Sequence, residues 1–228
     1  MTCCDVPAWA GQFDRKLADR DLRDYLRGGP NATTTALIDA LRRGGVKQRT
    51  LLDIGGGVGV IQFELLYAGL DAATSVDASP AYSAIARAEA QRRGVGERIS
   101  FHLGDFVTLA PGIPAADIVT LDRVVCCYAE MDPLVRRSAE RCRRVYGLVY
   151  PRDRWVTRFV VGVQNVFRAL WRNPFRSFIH SVAAMDELIR SCGFTLRSNV
   201  RTFVWEVAVY ERTESLSAFP SSRSRIAG

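Results

Sequence analysis

The sequence predicts an α/β fold: a mostly parallel seven-stranded sheet, helices on both faces, and a C-terminal antiparallel hairpin. Three observations predict it. Thr50–Ile54 is a short apolar run that reads as a buried parallel strand. Gly55-Gly56-Gly57-Val58-Gly59 follows at once, and then the helical pattern Val60, Ile61, Phe63, Leu65, Leu66. From residue 50 onward, strand-like and helix-like segments alternate, which builds a parallel sheet covered on both sides.

The strand, glycine turn and helix form the opening of a Rossmann-type unit. Gly55 and Gly57 lack a Cβ, so the chain can turn sharply and a ligand can approach the backbone. Asp53 sits one residue before Ile54 and the glycines. A carboxylate there repels a pyrophosphate and suits a cation. The spacing is Gly-x-Gly-x-Gly, and Val60 stands where a dinucleotide fold wants Gly or Ala. These features disfavour an NAD-dependent dehydrogenase and point to S-adenosylmethionine (SAM), which carries an ammonium and a sulfonium but no phosphate. A second strand, Ala73–Val76, ends at Asp77, placed to accept hydrogen bonds from both ribose hydroxyls; Ala78 follows it. A third strand, Ile99–Leu103, leads into Gly104-Asp105-Phe106. Asp105 is expected to take the adenine amino group and Phe106 to stack on its ring. Asp122 and Arg123 close the fourth strand, Asp117–Leu121, at the same sheet edge.

Asp53-Ile-Gly-Gly-Gly-Val-Gly59, Asp77 and Gly104-Asp105-Phe106 resemble the SAM-binding motifs of class I methyltransferases, over roughly residues 12–211. A narrower likeness is to magnesium-protoporphyrin O-methyltransferase and its small-molecule relatives. It rests on Arg23-Asp24-Tyr25-Leu26-Arg27-Gly28-Gly29-Pro30 and on Arg176-Ser-Phe-Ile-His180. The resemblance implies SAM as cofactor and a carboxylate as acceptor. The porphyrin enzymes would carry Ile-His-Tyr-Pro after the fourth strand, where this chain has Cys126-Cys127-Tyr128-Ala129.

At 228 residues the chain fits one domain with one sizeable core. The formal charge is +7, and of 31 basic residues only Lys16 and Lys47 are lysines. A basic surface attracts nucleic acid, anionic lipid or acidic substrates. Amino-methylating nucleic acid enzymes carry Asp/Asn-Pro-Pro-aromatic after the fourth strand; Leu121-Asp122-Arg123-Val124 departs from it, and no RNA-binding module is appended. No nucleic acid partner is expected. Six cysteines without a CxxC spacing exclude a typical structural zinc site, and Cys126 and Cys127 read as small packing residues. The polar start, Met-Thr-Cys-Cys-Asp, and the reduced-thiol reading suggest a cytoplasmic protein.

Residues 1–11 read as a loose terminus. Residues 13–27 place Phe13, Leu17, Leu22 and Leu26 near helical spacing, and Gly28-Gly29-Pro30 ends that helix. Asn31 or Thr33 caps a second helix running to about Arg43. Residues 1–48 thus supply two N-terminal lid helices, whose hinge brings Tyr25 and Arg27 to the cofactor. Residues 49–211 form the methyltransferase domain. Pro80 opens a helix to Arg93, a polar Pro-rich loop follows Phe106, and Asp132-Pro133 starts a helix before the strand Val145–Tyr150. Residues 153–172 form an amphipathic helix with charges that forbid a membrane span, leaving at most weak surface association. Within the segment 153–179 this helix is expected to cap the acceptor site. A helix at 182–192 precedes hairpin strands near 194–200 and 202–211, and the Ser/Arg-rich 212–228 reads as a disordered tail.

Methyl transfer from a sulfonium is an in-line displacement at an activated carbon, so positioning supplies much of the rate. A phenol or alcohol acceptor needs a base; a carboxylate needs none. Of two histidines, His102 lies on the third strand near the adenine pocket, while His180 and Tyr128 are the candidate catalytic residues. The expected reaction is methylation at oxygen of a planar or lipophilic small molecule. Alternatives are a nucleic acid methyltransferase and a non-catalytic SAM-binding protein.

Overall fold

The computed structural model describes residue 9 and residues 11–213. Its seven strands are β1 (Thr50–Ile54), β2 (Ala72–Asp77), β3 (Ile99–Leu103), β4 (Ala116–Asp122), β5 (Cys142–Pro151), β6 (Phe194–Arg201) and β7 (Trp205–Arg212). They form one sheet in the order β3-β2-β1-β4-β5-β7-β6. The first five are parallel; β7 runs antiparallel to β5, and β6 antiparallel to β7. The strand order reverses direction between β1 and β4, and ligands of open α/β sheets bind at such a switch point.

Alternate residues of each strand feed two cores. Leu52, Val119 and Leu121 face one core, with Phe106, Val135 and Ile189. Leu51 and Ile118 face the other, with Leu37, Leu41, Ile61 and Phe63. Helices α2 (Ala32–Arg43), α3 (Val60–Tyr67) and α4 (Pro80–Arg92) serve the second core; α5 (Phe106–Leu109), α6 (Met131–Glu140) and α8 (Val182–Ser191) serve the first. Helix α1 (Arg15–Gly28) packs on α4: Phe13 meets the Tyr82 ring edge-on, and the Tyr82 hydroxyl donates to Asp21 at 2.5 Å. Helix α7 (Trp155–Leu170) leaves the carboxyl end of β5.

Several boundaries shift for physical reasons. The Pro-rich loop after Phe106 begins with one helical turn, because Asp105 caps it by accepting from the Val107 and Thr108 N–H groups. β5 starts at Cys142, earlier than its apolar run, because Arg143 and Arg144 occupy exposed positions of a paired strand. Phe203 and Val204 continue the alternation of β7, yet they form the hairpin turn. Thr202 accepts from Trp205 N through its Oγ1 at 2.9 Å and donates to the Trp205 carbonyl at 2.8 Å. Arg212, assigned above to the tail, is the last residue of β7; most of the expected tail, residues 214–228, lies outside the described residues. Trp9, expected in a loose terminus, is buried in the first core.

Candidate functional site

The carboxyl ends of β1, β2, β3 and β4 lie side by side, with Ile54 opposite Val76 and Leu121, and Asp77 opposite Leu103. They open into a cavity of about 650 Å³, within the range of small-molecule sites. Tyr25, Asp53, Gly55, Gly57, Asp77, Ala78, Gly104, Phe106, Asp122, Arg123 and Tyr128 line it.

The glycine turn is built for close backbone approach. Gly55, Gly57 and Gly59 take φ of 66°, 57° and 91°, the left-handed region that a Cβ disfavours. A Cβ on Gly55 would also meet Val124 at 2.4 Å. Gly56 is constrained differently: a Cβ there would lie 2.4 Å from the Gln62 amide and 2.6 Å from Ser75 Oγ. These belong to a buried network under the turn. Gln62 Nε2 donates to Asp53 Oδ2 (3.1 Å) and to Ser75 Oγ (2.9 Å), and Thr120 Oγ1 donates to Asp53 Oδ1 (2.6 Å). Asp53 therefore braces the turn from below as well as lining the cavity.

Asp77 binds the turn from the next strand. Its Oδ2 accepts from Gly57 N (2.9 Å) and its Oδ1 from Ser79 N (2.7 Å). Each carboxylate oxygen retains a further acceptor site. Burial raises the Asp77 carboxyl to about 6 and Asp53 to about 7, and it raises Asp122 as well. For Asp53 the ordinary value is 3.8. The folded protein thus holds the proton more tightly than the unfolded chain, and this stability, present below about pH 4, is lost as pH rises through about 7. Asp53→Asn is expected to raise the melting temperature of the ligand-free protein near pH 8, by an amount on the order of a few kcal/mol in stability, and to flatten its pH dependence between about 4 and 7. Scanning calorimetry across that range checks it; a mutant melting curve as steeply pH-dependent as wild type would contradict the assignment.

At the end of β4 the chain takes an unusual turn. Arg123 has φ 61°, held by its N–H to the Val149 carbonyl (2.9 Å), by its Nη2 to Thr33 Oγ1 (2.7 Å) and Asn31 Oδ1, and by stacking on Trp205. Asn31 also caps α2, so this arginine ties the hinge of the N-terminal helices to the sheet. Thr34 Oγ1 donates to Asp122 Oδ2. Asp122 Oδ1 and Arg123 Nε, 3.7 Å apart, are buried without a hydrogen-bond partner among the described residues. The two groups form a loose ion pair with each other, and a carboxylate beside a guanidinium in a cavity wall suits a zwitterionic ligand.

Four expected site residues sit elsewhere. Arg27 is exposed on α1, two residues and over half a turn from Tyr25. Gly59 starts α3 with Phe63 packed where a Cβ would stand. Asp105 does not line the cavity: besides capping α5, it accepts the Tyr128 hydroxyl at 2.6 Å. His180 stands behind the wall, its Nε2 2.9 Å from the Tyr128 carbonyl. A carbonyl only accepts, so Nε2 carries the hydrogen. Tyr25 lines the cavity while its hydroxyl donates to Glu64 (3.0 Å), and burial raises its pKa to about 12. The expected cap also differs. No residue of α7 lines the cavity; Trp9, Phe13 and Tyr128 supply its aromatic wall, with Trp9 and Tyr128 rings 5.1 Å apart. Trp9, Asn31, Thr34 and Cys127 were not foreseen, because their place depends on chain segments far away in sequence.

Residues 51–147 match the family model described as "Methyltransferase domain". They form a methyltransferase domain. The matched segment carries the glycine turn, Asp77 and the end of β4, and the sheet around it has the Rossmann-like strand order of SAM-dependent methyltransferases. Among curated proteins, none matches the sequence. Among solved structures, magnesium protoporphyrin IX methyltransferase from Synechocystis PCC 6803, with bound S-adenosylhomocysteine, is similar over 92% of this chain and 100% of its own, with 19% identity and a TM-score of 0.72. An O-methyltransferase family protein from Burkholderia thailandensis is similar over 90% of this chain and 63% of its own, at 18% identity and TM-score 0.66. A putative RNA methyltransferase from Pyrococcus horikoshii is similar over 83% of this chain and 86% of its own, at 14% identity and TM-score 0.57. At such identities the likeness is one of fold. Among the described residues no cluster of three or more His, Cys, Asp or Glu is placed to hold a metal, and no helix is long and apolar enough to cross a membrane.

Proposed function

We propose that the enzyme methylates a small, planar or lipophilic molecule, at oxygen. The observation that carries this reading is the lining of the cavity: Asp21, Asp24, Asp53, Asp77 and Asp122 against a single arginine, Arg123, beside the aromatic wall of Trp9, Phe13 and Tyr128. A lining with one cation offers a phosphate backbone little to hold, whereas nucleic acid binding needs cations along its path. The +7 charge of the chain therefore resides away from the site.

When bound, SAM supplies a methyl group already activated on a sulfonium. In this reading the glycine turn takes its backbone and Asp77 accepts from the ribose diol. Asp122 Oδ1 and Arg123 Nε receive the ammonium and carboxylate of its amino acid end. Trp9 Nε1, buried and without a hydrogen-bond partner among the described residues, provides a donor on the acceptor side. Tyr128 and Trp9 hold a flat acceptor against the methyl carbon, and apolar walls exclude water from the transfer. Lipophilic phenols, alcohols and carboxylic acids should convert SAM to S-adenosylhomocysteine, followed by chromatography. Methyl incorporation into RNA or DNA, with none into any small molecule, would overturn the reading in favour of the nucleic acid alternative.

A further inference from the structure

Helix α7 is built inside out. Its inward stripe is Thr157, Val161, Asn165 and Arg168, largely polar. Asn165 Nδ2 donates to the Ser177 carbonyl (2.8 Å), and Arg168 donates to Ser177 Oγ (3.1 Å) and lies over the Phe175 ring. The apolar residues point the other way. At about 100° per residue, Trp155, Val166, Phe159, Leu170, Val163, Phe167 and Val160 fill one arc of roughly 140°. That arc faces solvent: Trp155 is 78% exposed, Leu170 71%, and Trp171 just beyond the helix 75%. A helix of a globular surface turns its apolar stripe to the core, and a continuous exposed patch of this kind marks an interaction surface. Phe203 extends the patch at the β6–β7 turn, under the Arg154 guanidinium.

The charges around the patch select the occupant. Arg154, Arg172 and Arg176 lie in or beside α7 without a carboxylate partner among the described residues, while Arg158 pairs with Asp153 and Arg168 turns inward; between residues 154 and 185 there is no Asp or Glu. Face-to-face pairing of two copies would oppose arginine to arginine. Tryptophans at both ends, an apolar arc between them and arginines at the flanks fit the boundary between headgroups and acyl chains of an anionic bilayer. Helix α7 has 16 residues, about 24 Å by helical rise, and it would lie in the membrane plane.

We propose that α7 is an in-plane docking face for an anionic lipid bilayer. The assignment goes beyond the acceptor reading and holds whatever molecule is methylated. It also gives the sequence context of the site a purpose: α7 leaves the sheet edge that carries the cavity, and Phe175 beneath it packs on the cavity-lining Phe13.

The test is co-sedimentation of the full chain with vesicles of phosphatidylcholine alone and of phosphatidylcholine with phosphatidylglycerol. The protein should pellet with the second and not the first, and added salt should weaken but not abolish binding. The double substitution Phe159→Glu with Leu170→Glu should lower partitioning by roughly tenfold or more while leaving SAM affinity unchanged. In the unmodified protein, brominated phosphatidylglycerol should quench tryptophan fluorescence, a readout independent of how the variant folds. Absence of both pelleting and quenching overturns the proposal. So does binding that the double substitution leaves intact, or a dimer seen by ultracentrifugation that the substitution dissociates while vesicles recruit nothing.

Discussion

Replacing Asp77 with alanine is expected to weaken SAM binding by roughly 1–3 kcal/mol, about 5- to 150-fold. The residue acts twice. Its carboxylate holds Gly57 N and Ser79 N, fixing the glycine turn against the start of α4, and its spare acceptor sites face the cavity. Alanine removes the ribose acceptors and unpins the turn that presents the backbone. Asp77→Asn keeps size and one acceptor oxygen, so it should recover only part of the thermal stability, because one of the two N–H groups then faces an amide donor, and not the full affinity. Burial has already raised this carboxyl to about 6. Hydrogen bonds from a diol favour the ionised form, so wild-type affinity should be full above about pH 6 and decline below it. The alanine variant should lack that decline. Titration calorimetry at several pH values reads both effects, and unchanged affinity in Asp77→Ala would rule out the placement of the ribose.

What could be read in advance follows from how local each feature is. The turn at Gly55–Gly59 and the acids at 53, 77 and 122 are consecutive with their strands, so chain order alone brings them to one sheet edge. Asp105 obeyed the same rule and misled it. An acid after a strand also caps the helix that follows, and here the cap and the Tyr128 hydroxyl occupy the carboxylate. Gly56 looked like one glycine of three, but its need for a missing side chain comes from Gln62 and Ser75, which only the fold brings together. Asn31 and Thr33 are linked to Arg123, and Thr34 to Asp122, across about ninety residues, beyond any local pattern. The amphipathic period of 155–170 was plain, yet periodicity gives a stripe and not the side to which it turns. The polar contacts of Asn165 and Arg168 with Ser177 settle that side.

The aromatic wall carries the other large effect. Tyr128→Ala is expected to slow turnover by about 10²-fold, with SAM affinity nearly unchanged, because the ring both walls the cavity and packs on Trp9. Tyr128→Phe keeps the ring and should cost less, mainly in the acceptor Michaelis constant. His180 is a positioning residue in this geometry. It donates to the Tyr128 carbonyl and does not line the cavity. His180→Ala should therefore slow the enzyme by displacing Tyr128, leave the shape of the pH–rate profile intact, and be rescued by His180→Gln, whose amide can donate to the same carbonyl. A general base would behave otherwise: loss of about 10²–10⁴-fold, disappearance of the acidic limb, and no rescue by glutamine. A carboxylate acceptor would lower the demand for any base, and the double mutant would then be only modestly slow. Full activity of the double mutant on a verified acceptor would remove both residues from the mechanism. The SAM site would stand regardless, because Asp77, the glycine turn and the Asp122–Arg123 pair hold their geometry without contact to His180.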